Sequence, residues 1–216
     1  MKLELPEKIN REEWLKFLQV KGEPKERLAR QMEEAETLLL AKATPRSIYR
    51  VLKKEDVPME GFSIEKHLEG CDRVAILAMT IGGEIDRLIM QYEVTSMAMA
   101  VLLDTGASVL AEQMADEAER IMTEEIRSKS EELYFTPRFS PGYGDYPVKY
   151  QAQVLTYVDA ARKIGITLTS GDMMVPTKSV TALVGLADHP VTGRLATCAE
   201  CVLRDKCTLW REGDHC

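Results

Sequence analysis

Residues 138–147 read RFSPGYGDYP, and no helix or strand continues through them. Pro141 has no N–H to donate, and Gly142 and Gly144 lower the cost of left-handed backbone, so the three together end regular structure. The stretch is a loop, and its composition is that of a binding loop. Arg138 carries a planar cation that holds a carboxylate through two parallel hydrogen bonds. Tyr143 offers a flat face with a polar tip, and a glycine lets backbone groups come close to a ligand that a Cβ would exclude. These parts suit a zwitterion carrying a flat ring. They are equally compatible with a solvated arginine and a ring packed over a turn, since most loops carry no site.

Working outward, the segment before the loop has helical periodicity. Residues 94–128 read as one long helix, with Leu103, Ala107, Leu110, Met114, Ala118 and Ile121 on one stripe. After the loop, Pro147 suits a helix start, and Val154, Leu155, Val158 and Ala161 carry that helix to a stop at Gly165. Residues 166–169 read as a strand and 173–176 as an irregular step. Residues 180–186 alternate as the two faces of a strand do. Toward the N-terminus, Asn10 and Glu13 approach a capping box before a short amphipathic helix. Pro24 sits at the first turn of a second helix with the stripe Leu28, Met32, Ala35 and Leu39. Residues 47–52 have strand composition, 63–69 a helical turn, and 74–79 form an apolar run expected of a strand buried on both faces. Gly82-Gly83 then leads into a helix over 84–92. The spaced glycines of a dinucleotide fingerprint are missing, so this turn is not read as a phosphate site.

Helices and strands in this order predict an α+β fold: a single domain with a twisted, mainly antiparallel sheet flanked by helices. We expect it to occupy residues 1–195, with a helical part at 1–43, followed by a cysteine-bearing tail at 196–216. A chain of 216 residues buries a core without disulfides, and 45% hydrophobic with 29% charged residues are globular values. A net charge of −7 argues against a nucleic-acid surface and suits a cationic ligand. The charged opening MKLELPEKINREEW holds no signal sequence and no run reaches the length of a membrane span, so a cytoplasmic location without membrane contact is expected.

The loop resembles the S-adenosylmethionine-binding loop of the activation domain of cobalamin-dependent methionine synthase. In that loop an arginine is followed two residues on by a small residue and then by Pro-Gly-Tyr. Arg138, Ser140, Gly142 and Tyr143 fall on this pattern, and MMVPTKSV at 173–180 continues it. The resemblance covers the C-terminal half well and the first half only in the order of its elements. It implies a free-standing activation component acting on a separate cobalamin-carrying methionine synthase or another corrinoid protein. When the cobalamin is oxidised, an electron donor such as flavodoxin reduces it, and S-adenosylmethionine held here methylates the cobalt. By the same resemblance Arg138 pairs the ligand carboxylate, and Ser140, Gly142 and Tyr143 shape the adenosine side. Leu110-Ala111-Glu112 matches an acidic step of the family helix, with Asp116 one turn on as second choice. Glu132 stands where the family has a glutamate six residues before the arginine. No residue need act as acid, base or nucleophile, and the role is positioning. The family carries a further tyrosine near the ligand after its Met-Pro step, and the nearest equivalents in this chain are Val184 and its neighbours.

The tail places Cys198 and Cys201 with two residues between them, then Cys207 and Cys216. Two thiolates at that spacing point into one metal site from a single turn, so zinc or an iron-sulfur cluster suits the set, with His215 or His189 as substitute ligands. A reduced, metal-free tail is the alternative. Cys71 stands alone and reads as a buried small apolar residue, and His67 as an ordinary surface or core histidine. Two other functions remain open: a docking module for a corrinoid protein with a decayed ligand site, and an iron-sulfur protein passing electrons to cobalamin.

Overall fold

The computed structural model describes residues 1–129, 132–193 and 206. Its elements run α1 (Arg11–Phe17), α2 (Glu26–Lys42), β1 (Arg46–Lys53), α3 (Phe62–His67), β2 (Arg73–Thr80), α4 (Gly83–Thr95), α5 (Met97–Arg127), β3 (Tyr134–Phe135), α6 (Gln151–Tyr157), α7 (Ala160–Ile164), β4 (Thr167–Leu168), β5 (Met174–Val175) and β6 (Ser179–Ala187). A four-stranded sheet has the order β1-β2-β6-β3, and β4 pairs with β5 in a separate ribbon. The α+β expectation holds. The edge strand β3 lies antiparallel to β6, with Tyr134 opposite Ala187 and Phe135 opposite Leu186.

The chain forms two compact units. The first comprises Met1–Ile48, Ala78–Met122 and Asp159–Val180. Its core is helical. Met32, Ala35 and Leu39 of α2 are buried, as are Leu103, Ala107, Leu110, Met114 and Ala118 of α5. Trp14 of α1 is 2% exposed and its indole N–H donates to Thr105 Oγ1 at 2.9 Å. Asn10 caps α1 by accepting from the N–H groups of Glu12 and Glu13. Its own N–H goes to Gln113 Oε1 at 2.9 Å instead of back to Glu13, so the capping box is half formed.

The second unit comprises Tyr49–Leu77, Thr123–Val158 and the described residues from Thr181 onward, and most of the four-stranded sheet belongs to it. Strand β2 is buried nearly throughout, as its continuous apolar run implies. Strand β6 alternates less than its sequence suggests, because both of its faces are covered.

Three local readings are corrected. Helix α4 extends to Thr95, Ser96 is extended (φ −159°, ψ 93°), and α5 begins at Met97, so the long helix does not start at 94. Met122, not Ile121, continues the buried stripe. The helix after the loop breaks at Asp159, whose backbone is left-handed (φ 54°, ψ 43°), and resumes as α7. Asp is among the residues that tolerate that region, so no Gly or Pro marks the break.

Candidate functional site in the loop at 138–147

Backbone pairing leads the chain into the loop. The Thr136 N–H donates to Gly185 O at 3.0 Å, and the Gly185 N–H donates to Thr136 Oγ1 at 2.8 Å. Phe139 and Leu183 exchange both backbone bonds, at 3.0 and 2.7 Å. Arg138 lies between these fixed points. It is half-buried, with its Nη1 nitrogen shielded from solvent. Behind it, His67 is fully buried, with Nε2 2.9 Å from Pro137 O and its ring 4.7 Å from that of Phe139.

The turn itself follows from Pro141-Gly142. The Tyr143 N–H donates to Ser140 O at 3.0 Å, and Gly142 has φ +95°, the pattern of a type II turn with Pro and Gly at its two central positions. A second turn brings the Tyr146 N–H to Tyr143 O at 3.0 Å, and the Gly142 N–H donates to Tyr146 O at 2.8 Å. Tyr143 is left 50% exposed, its ring standing edge-on to Phe139 at 5.7 Å and 72°. The loop thus presents a half-exposed aromatic face on a backbone closed by three turn hydrogen bonds.

Two side chains fix the loop's base to one residue of β6. Ser140 donates its hydroxyl to Thr181 O at 2.6 Å, and Gln151 Nε2, just past the loop, donates to Thr181 Oγ1 at 2.7 Å. The Ser140 hydroxyl is therefore committed to shaping the loop. On the other side, Asp145 accepts from the N–H groups of Phe62 and Ser63, both at 2.8 Å. The Ser63 N–H and hydroxyl, then the Phe62 N–H, hold its carboxyl below the usual carboxylate range. Sequence reading missed Thr181, Gln151 and Asp145. An Asp in a turn signals a local acceptor, but nothing local reveals a donor pair 82 and 83 residues earlier.

Of the acidic candidates, Glu132 is exposed with φ 48° and lies in the same unit as the loop. Glu112 and Asp116 are exposed residues of α5 in the first unit. Val184 is fully buried in β6. Cys71 is 4% exposed and burial pushes its thiol up, as befits an inert core cysteine. Cys198, Cys201, Cys207, Cys216 and His215 lie outside the described residues. His189 is described, with Nδ1 2.9 Å from Asp188 Oδ1. Among the described residues no group of three His, Cys, Asp or Glu is placed to hold a metal ion, and no helix is long and apolar enough to cross a membrane.

Tyr146 completes an aromatic row. Its ring is 1% exposed and stacks on Tyr150 at 5.4 Å and 13°, while its hydroxyl oxygen has no hydrogen-bond partner among the described residues. Burial first, then the neighbouring Tyr150 and Tyr157, raise this phenol above its ordinary value of 10.0. Tyr146→Phe removes a desolvated, unsatisfied group, so it should stabilise the protein by about 1 kcal/mol. The raised value adds a pH signature. What the neutral phenol contributes is complete below its ordinary value and is lost as pH rises toward its folded value. Alkaline solution should therefore destabilise the wild type more than the Phe variant, which melting temperatures across that range measure.

Comparison with known proteins agrees with the motif. No curated protein matches the chain. The chain is similar to a crystal structure described as the MetH reactivation domain bound to AdoHcy, with 17% sequence identity and a TM-score of 0.60, covering 93% of this chain and 80% of that one. That likeness speaks for the fold. The family model for the vitamin B12 dependent methionine synthase activation domain matches residues 25–192, which include the sheet, the loop and the Met-Pro step. With well over half its length matched, the chain belongs to the vitamin B12 dependent methionine synthase activation domain family.

Proposed function

We propose that this chain binds S-adenosylmethionine at the loop 138–147 and supplies its methyl group to a cobalamin that has been reduced from its inactive oxidised form and is carried by a separate methionine synthase. The observation that carries the reading is the stretch from Arg138 to Tyr143, held to β6 through Phe139 and Ser140, closed by the Ser140 to Tyr143 turn and presenting a half-exposed aromatic face. Membership of the activation-domain family supports it. So does the similar reactivation domain, whose structure holds AdoHcy, the demethylated form of the same ligand. Arg138 pairs the ligand carboxylate, Tyr143 packs on the adenosine side, and Ser140 and Gly142 set the curvature between them. Glu132 serves the ammonium or ribose hydroxyls.

In the reaction the bond between methyl carbon and sulfonium sulfur breaks, a bond from that carbon to cobalt forms, and S-adenosylhomocysteine leaves. The cobalt must first gain one electron from an external one-electron donor such as flavodoxin. The chain's own contribution is to hold the methyl group in line, which turns an encounter of two molecules into an effectively unimolecular step.

A second reading, a docking module that no longer holds the ligand, is favoured by the buried apolar stretch around Val184, the nearest equivalent of the tyrosine that the resemblance implies. Isothermal titration with S-adenosylmethionine and S-adenosylhomocysteine separates the two. Saturable binding supports the first. Absence of binding at millimolar ligand, with and without the corrinoid protein, leaves the second.

A further inference from the structure

We propose that Asp145 is a positioning residue of the ligand loop, its carboxylate latching the turn at 142–146 onto the first turn of α3. This rests on the reading of the loop given above. The loop's other fixed points are the hydrogen bonds of Phe139 with Leu183 and of Ser140 and Gln151 with Thr181, all reaching β6, and the buried ring of Tyr146 packed against Phe139 and Tyr150. None of these reaches α3. Asp145 holds the far side. Its Oδ2 accepts from Phe62 N–H and its Oδ1 from Ser63 N–H, so a single side chain fixes both the position and the tilt of the turn.

The surrounding sequence is fitted to this contact. A Cβ on Gly61 would stand 2.8 Å from Asp145 O and 2.9 Å from its Oδ1, and Gly61 has φ +119°. A Cβ on Gly144 would stand 2.4 Å from Ser63 Oγ. Two segments distant in sequence each have a glycine where the other comes closest. The carboxylate is solvent-exposed, so the contact is not a by-product of core packing. Its consequence is preorganisation: a loop already held in its bound curvature loses less freedom when the ligand arrives, and affinity rises accordingly.

The test uses the full chain with Asp145→Ala, Asp145→Asn, Gly61→Ala and the Gly61→Ala/Asp145→Ala double variant. In ligand-free protein, exchange of the Gly142 and Tyr146 amide hydrogens is followed by NMR, with amides of β2 and β6 as the internal reference. Asp145→Ala should speed the two loop amides roughly tenfold or more while β2 and β6 keep their protection, as expected of local opening. S-adenosylmethionine titration should show about a tenfold loss of affinity, the order of a lost preorganisation. Asn keeps one of the two acceptor oxygens and should restore part of both effects. Gly61→Ala breaks the latch from the opposite side with the carboxylate intact, and the double variant should be no worse than either single one.

Unchanged loop exchange and affinity in Asp145→Ala overturn the proposal. So does a loss of protection shared equally by β2 and β6, which would make Asp145 a support of the whole fold. If the wild type itself fails to bind S-adenosylmethionine, the functional reading falls, while the ligand-free exchange still decides whether the latch exists.

Discussion

Arg138→Ala should weaken S-adenosylmethionine binding by about a hundredfold while leaving the fold intact. The size follows from what the side chain is asked to do. Truncating one partner of a desolvated, hydrogen-bonded charge pair costs roughly 2–5 kcal/mol, and a factor of ten in affinity is about 1.4 kcal/mol. The fold survives because the backbone on either side is held independently, by the Thr136 to Gly185 bonds before it and the Phe139 to Leu183 bonds after it. Two controls make the result specific to carboxylate recognition. Arg138→Lys keeps the charge and loses the planar fork, so it should fall between wild type and alanine. S-adenosylhomocysteine shares the carboxylate but lacks the sulfonium charge, so Arg138→Ala should weaken both ligands by the same factor. A variant that binds normally removes Arg138 from the site, and one that discriminates between the ligands moves it to the sulfonium end.

What the sequence conveyed about this site divides along one physical line. Pro141, Gly142 and Tyr143 are legible as a turn because a type II turn is local, and Pro and Gly at its central positions announce it. The α5 stripe from Leu103 to Ala118 is legible for the same reason, periodicity being a short-range signal. The residues that hold the loop in place were not legible. Thr181 accepts from both Ser140 and Gln151, and Asp145 reaches Phe62 and Ser63, across gaps of 30 to 83 residues that no spacing rule encodes. Ser140 illustrates the difference. The resemblance marks it as a ligand-side residue, while its hydroxyl is spent on Thr181 O. The break at Ser96 escaped for a different reason, since helical periodicity is nearly continuous across it and one extended residue leaves little mark. The two-residue strand β3 is too short to carry an alternating pattern at all.

The largest effect on stability is expected from Gly185→Ala, in the C-terminal part of β6. Alanine is ordinarily harmless or better in a strand that keeps a glycine, so the expectation rests on space. The added Cβ would stand 2.5 Å from Cys71 Sγ, 2.9 Å from Leu68 Cδ2 and 3.0 Å from Thr136 Cγ2. All three neighbours are buried, at 4%, 0% and 1% exposure, and none ends in a long chain that can turn aside. Overpacking of this kind costs about 1–3 kcal/mol. The backbone adds to it, because moving β6 away stretches the two bonds that Gly185 shares with Thr136, each worth about 1 kcal/mol. For a chain of this size a total near 3 kcal/mol lowers the melting temperature by roughly 6–12 °C. Since Thr136 stands two residues before Arg138, the same shift should misplace the guanidinium and reduce ligand affinity even at temperatures where the variant stays folded. Cys71→Ala supplies the decisive control. It removes the sulfur that the new Cβ meets first, so the double variant should recover part of both the melting temperature and the affinity. Gly185→Ala melting with the wild type would mean that β6 yields at this point without cost, and that Thr136 does not transmit its position to the loop.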